Sequence, residues 1–511
     1  MTEQHASPLH AAQRDGVNDM DPAAFRAAAH EVVDLIADYL EHVEDHAVLP
    51  PIEPGSIRPL LEEHPPEGPE PIEAILADVN RLVIPNATHW QHPGFMAYFA
   101  TSASAPGMLG EFLMAALGQN PMLWRTSPIG TELEGVVVQW LREGLGLPAA
   151  YDGLITDTAS TSTLIALAAA REAAGFDVAA KGLAGRAGLD APRVYCSTEA
   201  HSSIEKACMT LGLGREAVVK IPANERYEMD AQALAGAISA DRAAGRQPLA
   251  IVATIGTTSS TSADPVRAIA DIADEEDLWL HVDSAYAGVV ALVPELRAPF
   301  TGWERADSIV VNPHKWLFTP FDASLLLSRR LEHVRAAFSL VPEYLRTLDR
   351  ANPVRDYNEY QPQLGRRMRA LKLWMLVRYF GLEGLRRRIR YHIDLAQGFA
   401  ADLDASPDWE RLAPAPFSTV CFRFRPASMA GREDDPEVHA WLDRCNTQLM
   451  DAVNRTGRIF LSHTRLRDRF TIRLALGNIR TEPRHVALAW DLLRAEAARL
   501  LEAETMSKEL P

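Results

Sequence analysis

The sequence predicts an α/β protein built on an open, mostly parallel sheet. Between about residues 105 and 370, glycine-punctuated apolar segments alternate with amphipathic helices, which is typical of parallel strands covered on both faces. The clearest predicted strands are 249–258, 278–288 and 307–316. A predicted helix from Asp264 to about Glu275 separates the first two, which completes a strand-helix-strand unit.

Three regions are predicted along the 511 residues, because the chain exceeds one typical core. Residues 1–104 form an N-terminal helical and proline-rich dimerisation segment, 105–371 a large α/β domain and 372–511 a small α+β domain.

The two ends of the chain carry their own signals. An Asp21-Pro22 pair opens the first helix, and the proline-rich stretch 50–71 must run extended. Because that helix and arm cannot bury an apolar face alone, they need another domain or subunit. In the small domain we expect a helix over 435–456, strands at 458–463 and 469–477, and a last helix from Thr481.

Composition excludes several classes of function. The formal net charge of −17 argues against a nucleic-acid or anionic-membrane partner. The chain has neither a membrane-length apolar run nor a signal-peptide start, so we expect a cytoplasmic protein. Its four cysteines form no C-x-x-C pair, and its histidine pairs lack a third ligand at metal spacing, so neither disulfides nor a metal is expected.

Two charged residues stand at the ends of apolar segments. Lys315 lies inside the apolar run 310–324, where desolvation would lower the pKa of the amine and make it a better nucleophile. Asp283 ends the predicted strand before it. A lone lysine is more commonly a snorkelling surface residue, and a lone aspartate at a strand end is more often a helix cap or a loop anchor.

Two further segments complete a possible cofactor site. Hydroxyl side chains at 158–163 open a helix, whose free N–H groups suit a phosphate, although an ordinary helix cap has the same pattern. His201 follows a short strand, where its ring could be structural or could cover a flat cofactor. A phosphate seat, a carboxylate for a ring nitrogen, a stacking imidazole and a reactive lysine together indicate pyridoxal phosphate.

The chain resembles the group II pyridoxal-phosphate decarboxylases, most of all the aromatic L-amino-acid decarboxylases. The motifs "EPGSIRPLL", "THWQHPGFMAYFATSAS", "SPIGTELE", "AHSSIEKA", "HVDSAYAG", "NPHKWL" and "LGRRMRALKLW" follow one another in family order. This resemblance implies the aspartate aminotransferase-like fold, fold type I, with pyridoxal 5'-phosphate as cofactor. It also implies a homodimer with shared active sites that converts a small-molecule amino acid to an amine and CO2.

The resemblance assigns roles residue by residue. Lys315 forms the covalent link to the cofactor, Asp283 pairs with its ring nitrogen and His201 stacks on its face. The remaining expected cofactor contacts are Ala159, Ser160, Thr258, Ala285, Asn312 and His314. The expected substrate contacts are Trp90, Tyr98, Phe99, Thr101, Met122 and Gly365.

The expected proton donor is Tyr344, which occupies the family's P-x-Y-L position in the predicted loop 341–361. Tyr357 and Tyr360 lie on the same stretch and are alternatives. Four residues depart from the family pattern: Asp157 at the phosphate turn, and Asn120, Met122 and Arg125 in a part of the pocket that we expect from the other subunit. Gly365 leaves more room than serine, which is compatible with an indole ring.

Three other functions stay open at this point. The first is an aldehyde synthase, but relatives of that kind lack the loop tyrosine or carry asparagine at the stacking histidine. The second is a decarboxylase of a non-aromatic amino acid. The third is a scaffold whose dimer is its function, which the complete set of cofactor residues argues against.

Overall fold

A computed structural model of the protein describes residues 19–186, 192–340 and 354–507. Its strands are β1 Asp152–Thr156, β2 Pro192–Ser197, β3 Val218–Ile221, β4 Gln247–Thr254, β5 Trp279–Asp283, β6 Ser308–Val311, β7 Ser324–Ser328, β8 Trp409–Arg411, β9 Thr419–Phe424, β10 Ser462–Leu466 and β11 Arg469–Ala475. Its α-helices are α1 Pro22–Glu41, α2 Ile72–Asp78, α3 Ala105–Leu117, α4 Pro128–Leu145, α5 Ala159–Ala173, α6 Val178–Lys181, α7 Ser203–Thr210, α8 Ala231–Ala243, α9 Val266–Glu275, α10 Pro313–Trp316, α11 Leu331–Phe338, α12 Ala370–Asp404, α13 Pro436–Arg455 and α14 Pro483–Ser507.

The central sheet has seven strands in the order β1-β7-β6-β5-β4-β2-β3. Strands β3, β2, β4, β5 and β6 pair in parallel, whereas β7 is antiparallel to both of its neighbours. The predicted mostly parallel sheet is therefore confirmed. The second sheet, β10-β11-β9-β8, is wholly antiparallel.

Both faces of the central sheet are buried. Along β4, Ile251 and Ala253 belong to one apolar core, and Ala250 and Val252 to the core on the opposite face. This alternation follows from the two-residue repeat of a strand. A third core lies between the small sheet and the helices α12, α13 and α14.

The predicted strands run too far at their carboxyl ends. The first ends at Thr254 because Gly256 takes a positive φ of 86° and turns the chain away. The second ends at Asp283 and is followed by a 3₁₀ segment, Ala287–Leu292. The third ends at Val311, because Pro313 cannot donate to a strand and instead opens the single turn α10, which carries Lys315.

The N-terminal helix begins as predicted, with the Asp21 carboxylate accepting the N–H groups of Ala23 and Ala24. When only the described residues are considered, Ala28 is the one buried residue of α1, and Phe25 is 52% exposed. In the small domain the strand predicted at 469–477 is present as β11, whereas the one predicted at 458–463 lies further along the chain, as β10 Ser462–Leu466. Strands β8 and β9, which were not predicted, complete the sheet. Helix α12 crosses the proposed boundary at 371, and the three-part division of the chain stays a prediction.

Candidate active site

A cavity of about 220 Å³ opens where β4, β5 and β6 end. Backbone bonds join these ends, since the N–H of Ile255 donates to the Asp283 carbonyl and the N–H of Asn312 to the Ala285 carbonyl. The carboxyl edge of a parallel sheet is where open α/β folds bind ligands. All the predicted cofactor residues line this cavity: Ala159, Ser160, His201, Thr258, Asp283, Ala285, Asn312, His314 and Lys315.

Lys315 stands on α10, and its amine lies 5.2 Å from the centre of the Phe99 ring. Desolvation by burial lowers the pKa of this amine, and the charge of Asp283 acts in the opposite direction. More of the amine is therefore in the free, nucleophilic form at neutral pH than in an ordinary lysine.

Asp283 closes β5 with a carboxylate that is only 6% exposed. Its Oδ1 accepts one hydrogen bond from the N–H of Ala285, at 3.1 Å. An anion held at this depth, facing Lys315 across one small cavity, suits a cationic ring nitrogen.

His201 lies between β2 and α7 at the exposed side of the cavity. Its Nδ1 accepts the N–H of Ser203 at 3.1 Å, so the proton of the neutral ring is on Nε2. Partial burial lowers the pKa of His201, and nearby Lys315 adds to this effect while Asp283 opposes it. The ring is thus neutral at physiological pH.

The residues predicted to hold a phosphate, at the start of α5 and at Asn312 and His314, all line the cavity. Ala159 and Ser160 are the first residues of α5, where backbone N–H groups are free to bind an anion. The Nδ1 atom of His314 accepts the N–H of Ala323 at 3.0 Å, and burial lowers the pKa of this ring to about 3. The unexpected Asp157 turns its carboxylate towards its own backbone, accepting the N–H of Thr158 at 2.5 Å.

The donor set fits pyridoxal phosphate. The Thr254 hydroxyl and the Asn312 amide oxygen are buried in the wall without a hydrogen-bond partner among the described residues, which suits a polar ligand. Helix N–H groups match a phosphate, Asp283 matches a ring nitrogen and the Lys315 amine matches an aldehyde.

Sequence reasoning missed several residues of this site. Tyr286, Thr254 and Gly256 also line the cavity, as does Thr158 of the predicted hydroxyl-lined helix start. The ring of Tyr286 stacks on Phe99 at 3.8 Å and on Trp316 at 5.0 Å. Its place three residues after Asp283, in "DSAYAG", was the available signal.

Arg473 of β11 was also missed. Its guanidinium lies 5.2 Å from the centre of the Phe99 ring, with the buried Nη2 atom unpaired among the described residues. The small sheet thus brings a second cation close to the cavity.

The predicted substrate residues are not all brought together in one chain. Phe99 lines the cavity, whereas Trp90, Tyr98, Thr101, Met122 and Gly365 do not line it as the described residues form it. Trp90 stacks on Phe95 at 4.3 Å, and Tyr98 is 56% exposed. Met122 and Gly365 lie together elsewhere, around Asn120.

Comparisons with known proteins agree with this geometry. The pyridoxal-dependent decarboxylase conserved domain matches residues 54–425. The chain belongs to this family. Phenylacetaldehyde synthase of Arabidopsis thaliana is 39% identical over 94% of this chain and 97% of its own. Aromatic-L-amino-acid decarboxylase of Sus scrofa is 39% identical over 96% of this chain and 100% of its own.

The solved structures give the same result. The crystal structure of Oryza sativa TDC with PLP and tryptamine is 34% identical, covers 94% of this chain and 99% of that chain, and has a TM-score of 0.89. This pyridoxal-dependent decarboxylase therefore has fold type I and uses pyridoxal phosphate as a carboxy-lyase. None of its helices within the described ranges is long and apolar enough to cross a membrane.

The proton donor predicted for this decarboxylase, Tyr344, lies outside the described residues. The alternative Tyr357 is buried, with the Arg366 guanidinium 4.2 Å from its ring centre, and it lines a different pocket. Tyr360 packs at 6.4 Å from Tyr357. Neither alternative lines the cavity beside Lys315.

The lowered pKa of Lys315 predicts how the cofactor-free protein reacts with an amine-labelling reagent. Labelling of Lys315 should begin at lower pH in the folded protein than in the unfolded protein, as followed by peptide mass spectrometry across a pH series. In Asp283→Asn it should begin at still lower pH, because Asp283 holds the pKa of Lys315 up. If Lys315 were labelled only at the pH at which it reacts in the unfolded protein, the assignment would be wrong.

Proposed function

We propose that this enzyme decarboxylates an aromatic L-amino acid of the tryptophan, dopa, tyrosine or phenylalanine class to the arylalkylamine and CO2. The observation that carries the proposal is Phe99, whose ring lies in the cavity wall beside Lys315 and is backed by Tyr286. Aromatic faces favour an aromatic side chain over a charged or aliphatic one. The names of the relatives in Arabidopsis thaliana and Sus scrofa support the same class.

Each residue at the sheet edge has a defined task in this proposal. Lys315 would hold the cofactor covalently and Asp283 would keep a positive charge on its ring nitrogen, while the neutral His201 would cover the ring. Ala159, Ser160, Asn312 and His314 would hold the phosphate, with Thr258 and Ala285 beside the ring. When bound, pyridoxal phosphate supplies a sink for the electron pair that is left as CO2 departs.

The first test combines cofactor mapping with product analysis. Borohydride reduction of the purified yellow enzyme should fix the cofactor to Lys315, and the variant Lys315→Ala should not be labelled there. The enzyme is then incubated with tryptophan, dopa, tyrosine, phenylalanine and glutamate, while amine, aldehyde, CO2 and peroxide are measured. We expect amine and CO2 in equal amounts from an aromatic substrate; activity with glutamate alone would exclude the aromatic class.

The competing aldehyde synthase has some support, because one similar relative bears the name phenylacetaldehyde synthase. That reaction would consume oxygen and release peroxide together with the aldehyde. His201 at the cavity and Tyr344 in the sequence both favour the amine. Peroxide formed in proportion to product would replace our proposal with the synthase.

The role of Tyr344 predicts a shift of products in Tyr344→Phe. Loss of a general acid should lower the rate of amine formation by about 100-fold or more, and oxygen uptake with aldehyde formation should rise. Tyr357→Phe is the matched control, because that side chain is buried in another pocket. An unchanged ratio of amine to aldehyde in Tyr344→Phe would assign the proton to another group.

We also propose that the active unit is a homodimer with shared sites. Helix α3 exposes Leu109, Phe112, Leu113 and Leu117, of which Leu109 is 55% exposed. The N-terminal end of α3 packs against Pro320, whose neighbour Phe321 is exposed and lies 4.6 Å from the His314 ring. An apolar surface that borders the cavity suits a second copy of the chain, which would also cover α1.

This dimer predicts that Phe112→Asp combined with Leu113→Asp weakens self-association by more than about 10-fold and removes activity. Light scattering during gel filtration measures the first effect and amine formation the second. Met209→Asp, which alters another exposed apolar side chain, should leave both unchanged. A fully active monomer would refute shared sites. For the compartment we propose the cytoplasm, which fits a chain whose four cysteines are all buried.

A further inference from the structure

Asn120 is the polar centre of the surface that carries Met122 and Gly365. Its Nδ2 lies 3.5 Å from the Met122 sulfur, and its Oδ1 accepts the backbone N–H of Arg366 at 3.0 Å. The resemblance leads one to expect a more apolar residue at this position. The polar amide of Asn120 therefore occupies a position where the family pattern has an apolar side chain.

The orientation of this amide is determined by its neighbours. Only the oxygen can accept the N–H of Arg366, so Nδ2 must point towards Met122. Arg366 is itself held firmly, because its guanidinium makes two bonds to the buried Glu134, at 2.7 and 2.9 Å, and one to the carbonyl of Ile155. The amide is consequently presented in one fixed direction.

The space beside Gly365 is bounded by this donor. Among the described residues, and apart from its chain neighbours, a Cβ placed on Gly365 would meet only the Asn120 Nδ2 atom within 4 Å, at 3.8 Å. The amide nitrogen carries two hydrogens, and the thioether of Met122 is a weak acceptor for one of them. A ring entering this space would thus face an N–H donor.

We propose that Asn120 makes the enzyme select aromatic amino acids whose ring carries a hydroxyl group over the same ring without it. The inference rests on the proposed function, in which this surface completes the substrate pocket of the partner subunit. A phenol or catechol oxygen accepts an N–H, whereas a phenyl ring cannot, and the indole N–H is a donor only. A pocket that hydrogen-bonds a substrate hydroxyl disfavours the analogue lacking it, because its own polar group stays unpaired.

The test measures kcat/KM for two pairs of substrates, tyrosine with phenylalanine and 5-hydroxytryptophan with tryptophan. In Asn120→Val the preference for the hydroxylated member of each pair should fall by roughly 3- to 10-fold, the usual worth of one neutral hydrogen bond. A purely structural role for Asn120 would lower both members equally and leave the ratio unchanged. Gln119→Met, which alters the adjacent amide, should not change either ratio.

A second variant covers the case in which Asn120→Val does not fold. Asn120→Asp keeps an oxygen for the Arg366 N–H but offers no donor to the substrate. Tyrosine can still donate its hydroxyl hydrogen to the carboxylate, whereas O-methyltyrosine can only accept. We therefore expect kcat/KM for O-methyltyrosine to fall at least about 3-fold more than that for tyrosine.

The outcomes distinguish a failure of the Asn120 proposal from a failure of the proposed decarboxylase function. If no aromatic amino acid yields amine, both the proposed function and the selection by Asn120 are wrong. If amine forms and the ratios do not change in Asn120→Val, or O-methyltyrosine and tyrosine fall equally in Asn120→Asp, the decarboxylase stands and the role of Asn120 is refuted.

Discussion

The buried pair of opposite charges, Lys315 and Asp283, is the constraint on which the site depends. Removing a charge from water costs several kcal/mol unless the protein or a ligand compensates for it. Lys315 faces an aromatic ring, and the Oδ1 of Asp283 accepts one backbone N–H. A cofactor that reacts with the amine and pairs with the carboxylate offsets the desolvation cost of both charges.

The sheet makes this arrangement possible by burying both of its faces. With cores on the two sides of β4, the strand ends cannot shift relative to one another without breaking packing. The bonds from Ile255 to Asp283 and from Asn312 to Ala285 then fix the three loops that follow. The residues at this edge of the sheet are therefore held as rigidly as the strands themselves.

Much of this could be predicted from the sequence because its signals are local. Apolar runs marked the strands, and charged groups at their ends drew attention to Asp283 and Lys315. The family resemblance supplied most of the remaining predicted cofactor contacts, and all of these residues line one cavity. The ends of the strands were wrong because the predicted segments were extended past Thr254 and Val311, whereas Gly256 and Pro313 determine where pairing stops. A short apolar run does not show where its hydrogen bonding ends.

Contacts between distant segments could not be predicted in this way. Arg366 and Glu134 are 232 residues apart, and no periodicity indicates that they pair. Tyr286 was overlooked because a tyrosine after a strand is common, and its stacking between Phe99 and Trp316 is visible only in the structure. The antiparallel direction of β7 could not be predicted either. The direction of a strand depends on how the chain connects it to its neighbours, and composition does not show this.

The two groups of substrate residues connect specificity to assembly. Phe99 lies at the cavity, whereas Met122 and Gly365 lie around Asn120. This second surface is held by two hydrogen bonds, from the N–H of Arg366 to Asn120 and from the N–H of Asn358 to the Met122 carbonyl. If the second surface serves the site of another subunit, a single chain can hold the cofactor and offer Phe99 to an aromatic side chain, but it needs its partner to distinguish one aromatic ring from another. Substitutions around Asn120 can then change the substrate while leaving the sheet edge, and the chemistry it performs, as they are.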